Sequence, residues 1–427
     1  MNFRLRVGLA TLTIVATGVL YAEGVFKTGW IEAALCIPIG LSLIATGSFA
    51  RVLQNMLVSI IAISLSLTTL DLILRPVGYR LHYTPTNITP HRFPELPLVS
   101  RWDPNQKWDT ESYGDLAAMA GNPAFQERRR IIFRTDEFGF RNIPRSGATD
   151  LLILGDSFPT GVGTTDSETF AQLLESKYGF RTYNLSYNGT GPYEQFINFA
   201  IEWPRLKVSS RPRMIWTFYT GNDMDDTGGE TWEISNLPWQ HGFSAWLVKC
   251  RTYRNRSPLN QWMEGVRKKF WGKPADVIVR SLPDGQPVLF LGGQEAWGKR
   301  SRQEVEQHPN FEKLKRTIAA MRTLTAERNV ELTILILPTK GEVYRWLLET
   351  REPQPDDSDP SGFALAVLEA CKNARIVCHN TKSYLVSEAK RLFDTEGKLL
   401  WWRDDTHIGK YGHAAIAAYI ADSVLNN

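Results

Sequence analysis

Short apolar runs alternate with amphipathic stretches between residues 130 and 427. Five of the runs have the length and the aliphatic content of buried strands. The predicted strands lie near 150–155, 181–186, 213–220, 330–337 and 374–378. The predicted helices lie near 167–178, 194–203, 311–328, 341–350, 361–374 and 410–425. Such alternation is typical of a parallel sheet with helices on both faces. It predicts an α/β fold, a three-layer α/β/α sandwich around a parallel five-stranded flavodoxin-like sheet.

Three apolar stretches occupy residues 1–75. They run over Val7–Ala22, Ile31–Ala50 and Val52–Leu74. About 20 apolar residues cross the hydrocarbon core of a bilayer, so each stretch is close to the required length. We therefore predict a membrane region of about three transmembrane helices. The alternative for the first stretch is a cleaved signal peptide, which has a basic start and an apolar core of similar size.

The basic residues around these stretches predict an orientation. Arg4 and Arg6 precede the first stretch, and Arg51 separates the second from the third. Lys27 lies between the first and the second. Because cytoplasmic loops carry the excess of Lys and Arg, this bias favours a cytoplasmic N-terminus. Three crossings then place the large C-terminal domain outside the cytoplasm, which in a bacterium means an inner-membrane protein facing the periplasm.

The rest of the chain divides into a lead-in and a main domain. Residues 76–130 are rich in Pro, Asn and Arg and have weak periodicity, which predicts a linker and an irregular lead-in. Within the main domain, residues 131–427, a stretch from about 224 to 308 interrupts the alternation. Its tryptophans are Trp232, Trp239, Trp246, Trp262, Trp271 and Trp297. Two interpretations stay open: a lid or binding surface beside the site, or a small core of its own.

Composition narrows the range of ligands. The net charge of +4 on 427 residues is too small to indicate nucleic-acid binding. No zinc-ligand spacing or Walker-type phosphate loop occurs, and the carboxylates Asp223, Asp225 and Asp226 are typical of a solvated loop. We therefore predict no metal and no cofactor. Cys371 and Cys378 fit either a disulfide or two core thiols.

Polar residues follow three of the predicted strands. The run Leu151–Leu154 ends in Gly155-Asp156-Ser157-Phe158, the second strand leads to Asn188-Gly189, and the third leads to Gly221-Asn222. The carboxyl ends of parallel strands border the binding crevice of an open α/β sheet. Each block taken alone also fits an ordinary turn. A fourth block, Asp404-Asp405-Thr406-His407, precedes the last predicted helix.

These residue types are the ones that acyl transfer requires. A serine hydroxyl is a weak nucleophile until a base takes its proton, and His407 is the candidate base for Ser157. A carboxylate on the other imidazole nitrogen fixes the tautomer. Asp404 lies three residues before the histidine and is the predicted carboxylate. Backbone NH groups and side-chain amides hold a developing oxyanion, which makes Gly189 and Asn222 candidate donors with the NH of the serine.

Taken in order, the four blocks resemble those of the SGNH/GDSL hydrolase superfamily over about residues 130–427. Ser157 corresponds to the nucleophile, and Gly189 and Asn222 correspond to the oxyanion glycine and asparagine. His407 corresponds to the general base, and Asp404 fits the Asp-x-x-His spacing of the family. The resemblance implies an SGNH-type sandwich and a catalytic set of these five residues.

The chain departs from the family pattern at several positions. Phe158 replaces the leucine of the first block. Asp405 fits an Asp-x-His variant and is the alternative to Asp404, and Gly191 is the alternative to Gly189 if the loop is shifted. Upstream, Gly139-Phe140-Arg141 looks like the hairpin that often precedes the nucleophile strand in membrane-linked members.

The resemblance implies a membrane-anchored serine esterase or O-acyltransferase that acts outside the cytoplasm through an acyl-enzyme. The expected partners are an acyl ester, with an acylated glycan or cell-envelope substrate as the candidate, the lipid bilayer, and a membrane-bound acyltransferase. One alternative is a non-catalytic scaffold or binding subunit of a polysaccharide modification or export complex. Another is a membrane-surface lipase with the same triad.

Overall fold

The structure is a computed structural model that describes residues 91–93, 96–102, 104–143, 147–227 and 276–426. The three predicted membrane segments lie outside these ranges, as does most of the Trp-rich stretch. No helix within the described ranges has the length and apolar character needed to span a bilayer.

The described secondary structure begins with short antiparallel elements and continues as alternating strands and helices. The strands are β1 (His91–Phe93), β2 (Leu96–Arg101), β3 (Lys107–Ser112), β4 (Arg129–Arg134), β5 (Thr149–Leu154), β6 (Thr182–Asn184), β7 (Val208–Tyr219), β8 (Val277–Ser281), β9 (Pro287–Leu291), β10 (Glu331–Leu337) and β11 (Val377–Asn380). The helices are α1 (Asp115–Ala120), α2 (Ser157–Thr160), α3 (Phe170–Ser176), α4 (Pro192–Glu202), α5 (Asp223–Asp226), α6 (Gly292–Gly298), α7 (Arg302–Glu306), α8 (Phe311–Glu327), α9 (Lys340–Val343), α10 (Arg345–Glu349), α11 (Gly362–Ala374), α12 (Lys382–Glu396) and α13 (Lys410–Tyr419).

Five of these strands form the central sheet, in the order β11-β10-β7-β5-β6. Every neighbouring pair in this sheet is parallel. Numbered along the chain, the strands lie in the order 2-1-3-4-5, which is the flavodoxin-like arrangement. The predicted fold is therefore confirmed.

Helices cover both faces of the sheet. Leu151, Ile153 and Leu335 belong to one buried cluster, which includes Phe170 of α3 and Ile416 of α13. Successive strand residues point to opposite faces, so the alternate buried positions of β5, β7 and β10 face the other layer. In that layer α8 packs against α4, α11 and β10. Because both faces are covered, residues 151–154, 214–216 and 334–337 of the central strands are uninterrupted apolar runs.

Several elements differ from the sequence prediction. The whole of α12 was missed, although Leu385, Ala389 and Leu392 are buried at helical spacing. The helix predicted near 341–350 is divided at Tyr344 into α9 and α10. The segment predicted as an irregular lead-in contains β3, α1 and the start of β4.

The start of α3 also differs, for an electrostatic reason. The helix predicted from residue 167 begins at Phe170, and its cap is Thr169, whose hydroxyl accepts a hydrogen bond from the backbone of Gln172. Asp166 is occupied elsewhere, because its Oδ1 accepts a 3.0 Å hydrogen bond from the buried Arg141. The buried ion pair therefore shifts the first turn of the helix.

The described end of the Trp-rich stretch is regular. β8 and β9 form an antiparallel hairpin, and α6 and α7 follow it. Trp297 of α6 is 3% exposed, and its indole NH donates a 2.8 Å hydrogen bond to Asp225. This tryptophan is therefore part of the packing of the domain; the other five lie outside the described residues. Cys371 and Cys378 are free thiols.

Candidate active site

The turn after β5 holds Ser157 at the carboxyl end of the sheet. β5 and β7 are neighbours, and this position is the topological switch point at which open α/β sheets bind ligands. Ser157 is the first residue of α2, and Asp156 caps that helix by accepting a 3.0 Å hydrogen bond from Phe158 N. A side chain at Gly155 would overlap Thr217 Oγ1 of β7, so only glycine fits before this turn.

His407 connects the serine to a carboxylate. Its Nε2 lies 2.8 Å from Ser157 Oγ. Its Nδ1 lies 2.7 Å from Oδ1 of Asp405, a residue that is fully buried. A hydroxyl, an imidazole and a buried carboxylate in this sequence of contacts have the geometry of a nucleophile, a general base and the group that orients the base.

Asp404 does not contact His407, which corrects the expectation drawn from the Asp-x-x-His spacing. The backbone NH of His407 donates a 3.1 Å hydrogen bond to Asp405 Oδ1. This bond closes an Asx-turn, and such a turn brings a carboxylate beside the residue two positions later. Asp404 instead accepts hydrogen bonds from Gly114 N at 2.7 Å and from Glu127 N at 2.8 Å.

Arg129 connects the two adjacent carboxylates and was not recognised in the sequence. Its Nη1 lies 2.9 Å from Asp404 Oδ1, and its Nη2 lies 2.7 Å from Asp405 Oδ2. The guanidinium also lies over the ring of Trp402, with 4.3 Å to the centroid. A planar cation with several donors suits two buried carboxylates that would otherwise repel each other.

These contacts set the protonation states of His407 and Asp405. Burial acts to lower the pKa of His407, but the carboxylate of Asp405 and the nearby Asp115 and Asp156 raise it to about 9. Burial acts to raise the pKa of Asp405, yet His407 and Arg129 hold it well below its usual range. Asp405 therefore stays ionised and favours the protonated form of the imidazole.

Lys340 fixes the backbone before His407 and was also missed. It is 2% exposed, and its ammonium is within 2.7 to 3.2 Å of four carbonyl oxygens. These belong to Leu289, Trp402, Arg403 and Asp405. Burial lowers the pKa of Lys340 to about 8, against the attraction of the nearby carboxylates. The lysine thus joins α9 to Leu289 of β9 and to three of the residues just before His407, namely Trp402, Arg403 and Asp405.

Gly189 lies in a turn that is attached to Gly155, two residues before Ser157. Tyr187 N donates a 3.1 Å hydrogen bond to the carbonyl of Gly155, which ties this turn to the start of the Ser157 turn. Gly189 has φ +67° and open space where a side chain would be. At Gly191, the alternative, a side chain would overlap the backbone of Asp226. Of the two glycines, Gly189 is the one with free space beside its backbone.

Asn222 follows β7 and begins α5. Its Nδ2 donates a 2.6 Å hydrogen bond to Asp226. Asp223 accepts a 2.8 Å bond from Tyr219 N, and Asp225 accepts the bond from Trp297. The three carboxylates of this segment thus have separate partners and do not converge on one point.

Another set of ligand-type atoms lies at the site itself. Asp115, Asp405 and His407 bring oxygen and nitrogen atoms within 4.8 Å of one another. Asp405 Oδ1 is hydrogen-bonded to the imidazole and its Oδ2 is paired with Arg129, so each of its oxygens already has a basic partner. The chemistry of the set fits proton transfer better than metal binding.

Comparisons with known proteins give little further information. No protein-family model and no curated protein matches this chain. Among solved structures, a psychrotrophic esterase from Pseudoalteromonas sp. is similar at 13% identity and a TM-score of 0.31, covering 65% of this chain and 98% of that one. An acetyl xylan esterase from the rumen bacterium Butyrivibrio proteoclasticus is similar at 11% identity and a TM-score of 0.32, covering 76% and 85%. Scores this low carry no argument about activity.

Proposed function

We propose that the protein is a serine hydrolase or acyltransferase acting on ester bonds, with Ser157 as nucleophile, His407 as general base and Asp405 as the carboxylate that orients it. One observation carries the proposal: the continuous contacts of 2.8 Å from Ser157 Oγ to His407 Nε2 and 2.7 Å from His407 Nδ1 to Asp405 Oδ1. A scaffold has no physical need for a hydroxyl, a base and a buried carboxylate in series.

The proposed reaction has two halves. Ser157 Oγ attacks the ester carbonyl while His407 Nε2 takes its proton, and the tetrahedral intermediate collapses to an acyl-enzyme and an alcohol that leaves with that proton. In the second half, His407 takes a proton from water or from an acceptor hydroxyl as that oxygen attacks the acyl-enzyme. The second tetrahedral intermediate then releases the acid or the new ester by breaking its bond to Ser157 Oγ, which receives the proton back from His407. Hydrolysis and transfer differ only in which hydroxyl enters.

The proposed oxyanion donors are the backbone NH groups of Ser157 and Gly189 and the side-chain amide of Asn222. An amide nitrogen carries two hydrogens. Asp226 takes one of those on Asn222, which leaves the second for the oxyanion. The positive φ of Gly189 and the open space beside it support the approach of a ligand to its backbone.

We expect the full-length protein to hydrolyse p-nitrophenyl acetate and to be labelled by a fluorophosphonate probe. The proposed substrate is an acylated glycan, because the Trp-rich stretch follows Asn222 directly and aromatic faces suit sugar rings. Adding oligosaccharide acceptors should therefore divert acyl groups from water to sugar, measured as acylated product by mass spectrometry.

Each alternative predicts a different result in that assay. Release of free acid alone, at the same rate with every acceptor, would favour an esterase over a transferase. Faster turnover of long-chain esters on vesicles would favour the lipase. A folded protein that neither hydrolyses any ester nor reacts with the probe would favour the scaffold.

The proposed place of action is outside the cytoplasm, on a membrane anchor formed by the apolar stretches of residues 1–75. Arg4 and Arg6 before the first stretch support this orientation. A membrane-bound acyltransferase beside the anchor is the proposed source of acyl groups. Alkaline phosphatase fused after the third stretch should be active in a bacterial host, whereas green fluorescent protein fused there should be dark. The opposite pair of results would place the domain in the cytoplasm.

A further inference from the structure

A second carboxylate lies beside His407, on a segment outside the central sheet. Asp115 is the first residue of α1, between β3 and β4. Its Oδ2 lies 3.9 Å from His407 Nδ1. Asp405 Oδ1 lies 2.7 Å from the same nitrogen. One imidazole nitrogen therefore faces two carboxylates, one on its own loop and one on the lead-in.

Both oxygens of Asp115 are held by the residue between Asp405 and His407. Thr406 N donates a 2.8 Å hydrogen bond to Asp115 Oδ1, and Thr406 Oγ1 donates a 2.6 Å bond to Oδ2. Thr406 Oγ1 is itself 3.3 Å from His407 Nδ1. The carboxylate cannot turn away from the imidazole without breaking two hydrogen bonds.

Asp115 and Asp405 differ in the basic side chains that they contact. Asp405 divides its charge between the imidazole and Arg129. Within the described ranges, His407 is the one basic side chain that forms an ion-pair contact with Asp115. The side chain of Asp115 is 28% exposed, so water screens part of this interaction.

We propose that Asp115 is a positioning residue of the site, which holds the Thr406 turn and stabilises the imidazolium that forms when His407 takes the proton of Ser157. The proposal rests on the proposed function, because the imidazolium forms during turnover only if Ser157 reacts. The contacts that Asp115 makes at the site are with Thr406 and His407. Asp115 acts through His407.

The direction of the effect on pH dependence follows from the charges around His407. The groups that interact with His407 are Asp405 on its own loop, Asp156 on the nucleophile turn, Asp115 on α1 and His413 on α13. Arg129 on β4 and Lys340 on α9 interact with Asp405, and Arg141, after β4, interacts with His413. The carboxylates of Asp405, Asp115 and Asp156 raise the pKa of His407. The neutral imidazole is the active base, so removing one of these charges should lower that pKa and extend activity to lower pH.

Removing the negative charge of Asp115 should also slow the reaction at alkaline pH. There Asp115, whose pKa is raised to about 7 by burial and by Asp405, is ionised and the imidazole is neutral before the reaction. The charge of Asp115 then interacts with a cation that appears only as the proton moves, which is stabilisation specific to the transition state.

The experiment compares kcat/KM against pH for the full-length wild type, Asp115→Asn and Asp109→Asn. Asp109 is the matched control, because its carboxylate pairs with the exposed Arg130 on β4. We expect the acidic limb of Asp115→Asn to move to lower pH by about one unit and its alkaline plateau to fall about tenfold, so that its profile crosses that of the wild type. Asp109→Asn should superimpose on the wild type, and Asp115→Glu should restore most of the plateau.

A folded Asp115→Asn protein with an unmoved acidic limb would overturn the proposal. If that variant does not fold, Asp115→Ser removes the charge and keeps a hydroxyl at the start of α1. The pKa of the His407 imidazole, followed by NMR in the same full-length proteins, gives a readout that needs no turnover. A wild type without esterase activity would refute the proposed function, and an imidazole pKa lowered in Asp115→Asn would still support the charge interaction.

Discussion

Replacing Ser157 with alanine is expected to lower ester hydrolysis by a factor of about 10⁴ or more and to abolish fluorophosphonate labelling. The substitution removes one oxygen atom from a half-buried position, so the free energy of unfolding should change little. His407→Ala should cause a similar loss, and the double variant should be no worse than either single variant, because the two groups act in one proton transfer.

The measurement is kcat/KM for p-nitrophenyl acetate with the full-length protein, together with probe labelling. Ser167→Ala is the matched control, since Ser167 is an exposed serine on the same connection between β5 and α3. Activity and labelling that persist in Ser157→Ala would place the nucleophile elsewhere and remove the basis of the proposed function.

The second large effect concerns the adjacent carboxylates Asp404 and Asp405. Replacing Asp405 should mainly lower kcat, and replacing Asp404 should mainly lower the free energy of unfolding. Asp405→Asn is expected to lower kcat by about 10³ to 10⁴, because an amide cannot hold the imidazole in the same tautomer and does not stabilise its cation. Asp404→Asn should keep kcat within about tenfold of the wild type. It should lose about 3 kcal/mol of unfolding free energy, because it leaves Arg129 with a weakened buried partner.

Both variants are compared by kcat at saturating substrate and by urea unfolding. The expected contrast has a structural basis. The Asx-turn places the carboxylate of Asp405 beside His407, whereas the carboxylate of Asp404 accepts hydrogen bonds from Gly114 N and Glu127 N. If folded Asp404→Asn lost as much kcat as Asp405→Asn, the assignment of separate roles would be wrong.

The fold could be predicted because burial on both faces leaves a clear signal. The runs 150–155, 213–220 and 330–337 are apolar at successive positions, and they became β5, β7 and β10. The helical spacing of Leu385, Ala389 and Leu392 in α12 is also visible in the sequence. The division of 341–350 was less visible, because it depends on Tyr344, whose hydroxyl accepts a hydrogen bond from Leu400 N in a distant loop.

Some residues of the site can be predicted from short sequence motifs, and others depend on contacts between distant parts of the chain. Ser157 and His407 could be proposed from local motifs, and the structure brings their side chains within hydrogen-bond distance. The choice between Asp404 and Asp405 could not be made, because it depends on the side-chain conformations of one turn. Arg129, Asp115 and Lys340 act on partners that no local spacing connects to them, and composition alone does not mark them.

The attachment of Asp404 to the lead-in has a consequence for when the protein becomes active. Gly114 and Asp404 are separated by 290 positions, and Glu127 and Asp404 by 277. Closing so large a loop costs entropy that is recovered only when most of the domain has formed. We therefore expect the segment that carries His407 to reach Ser157 late in folding. On the proposed mechanism, a newly made chain should therefore hold Ser157 and His407 apart and should not attack esters before the domain has folded.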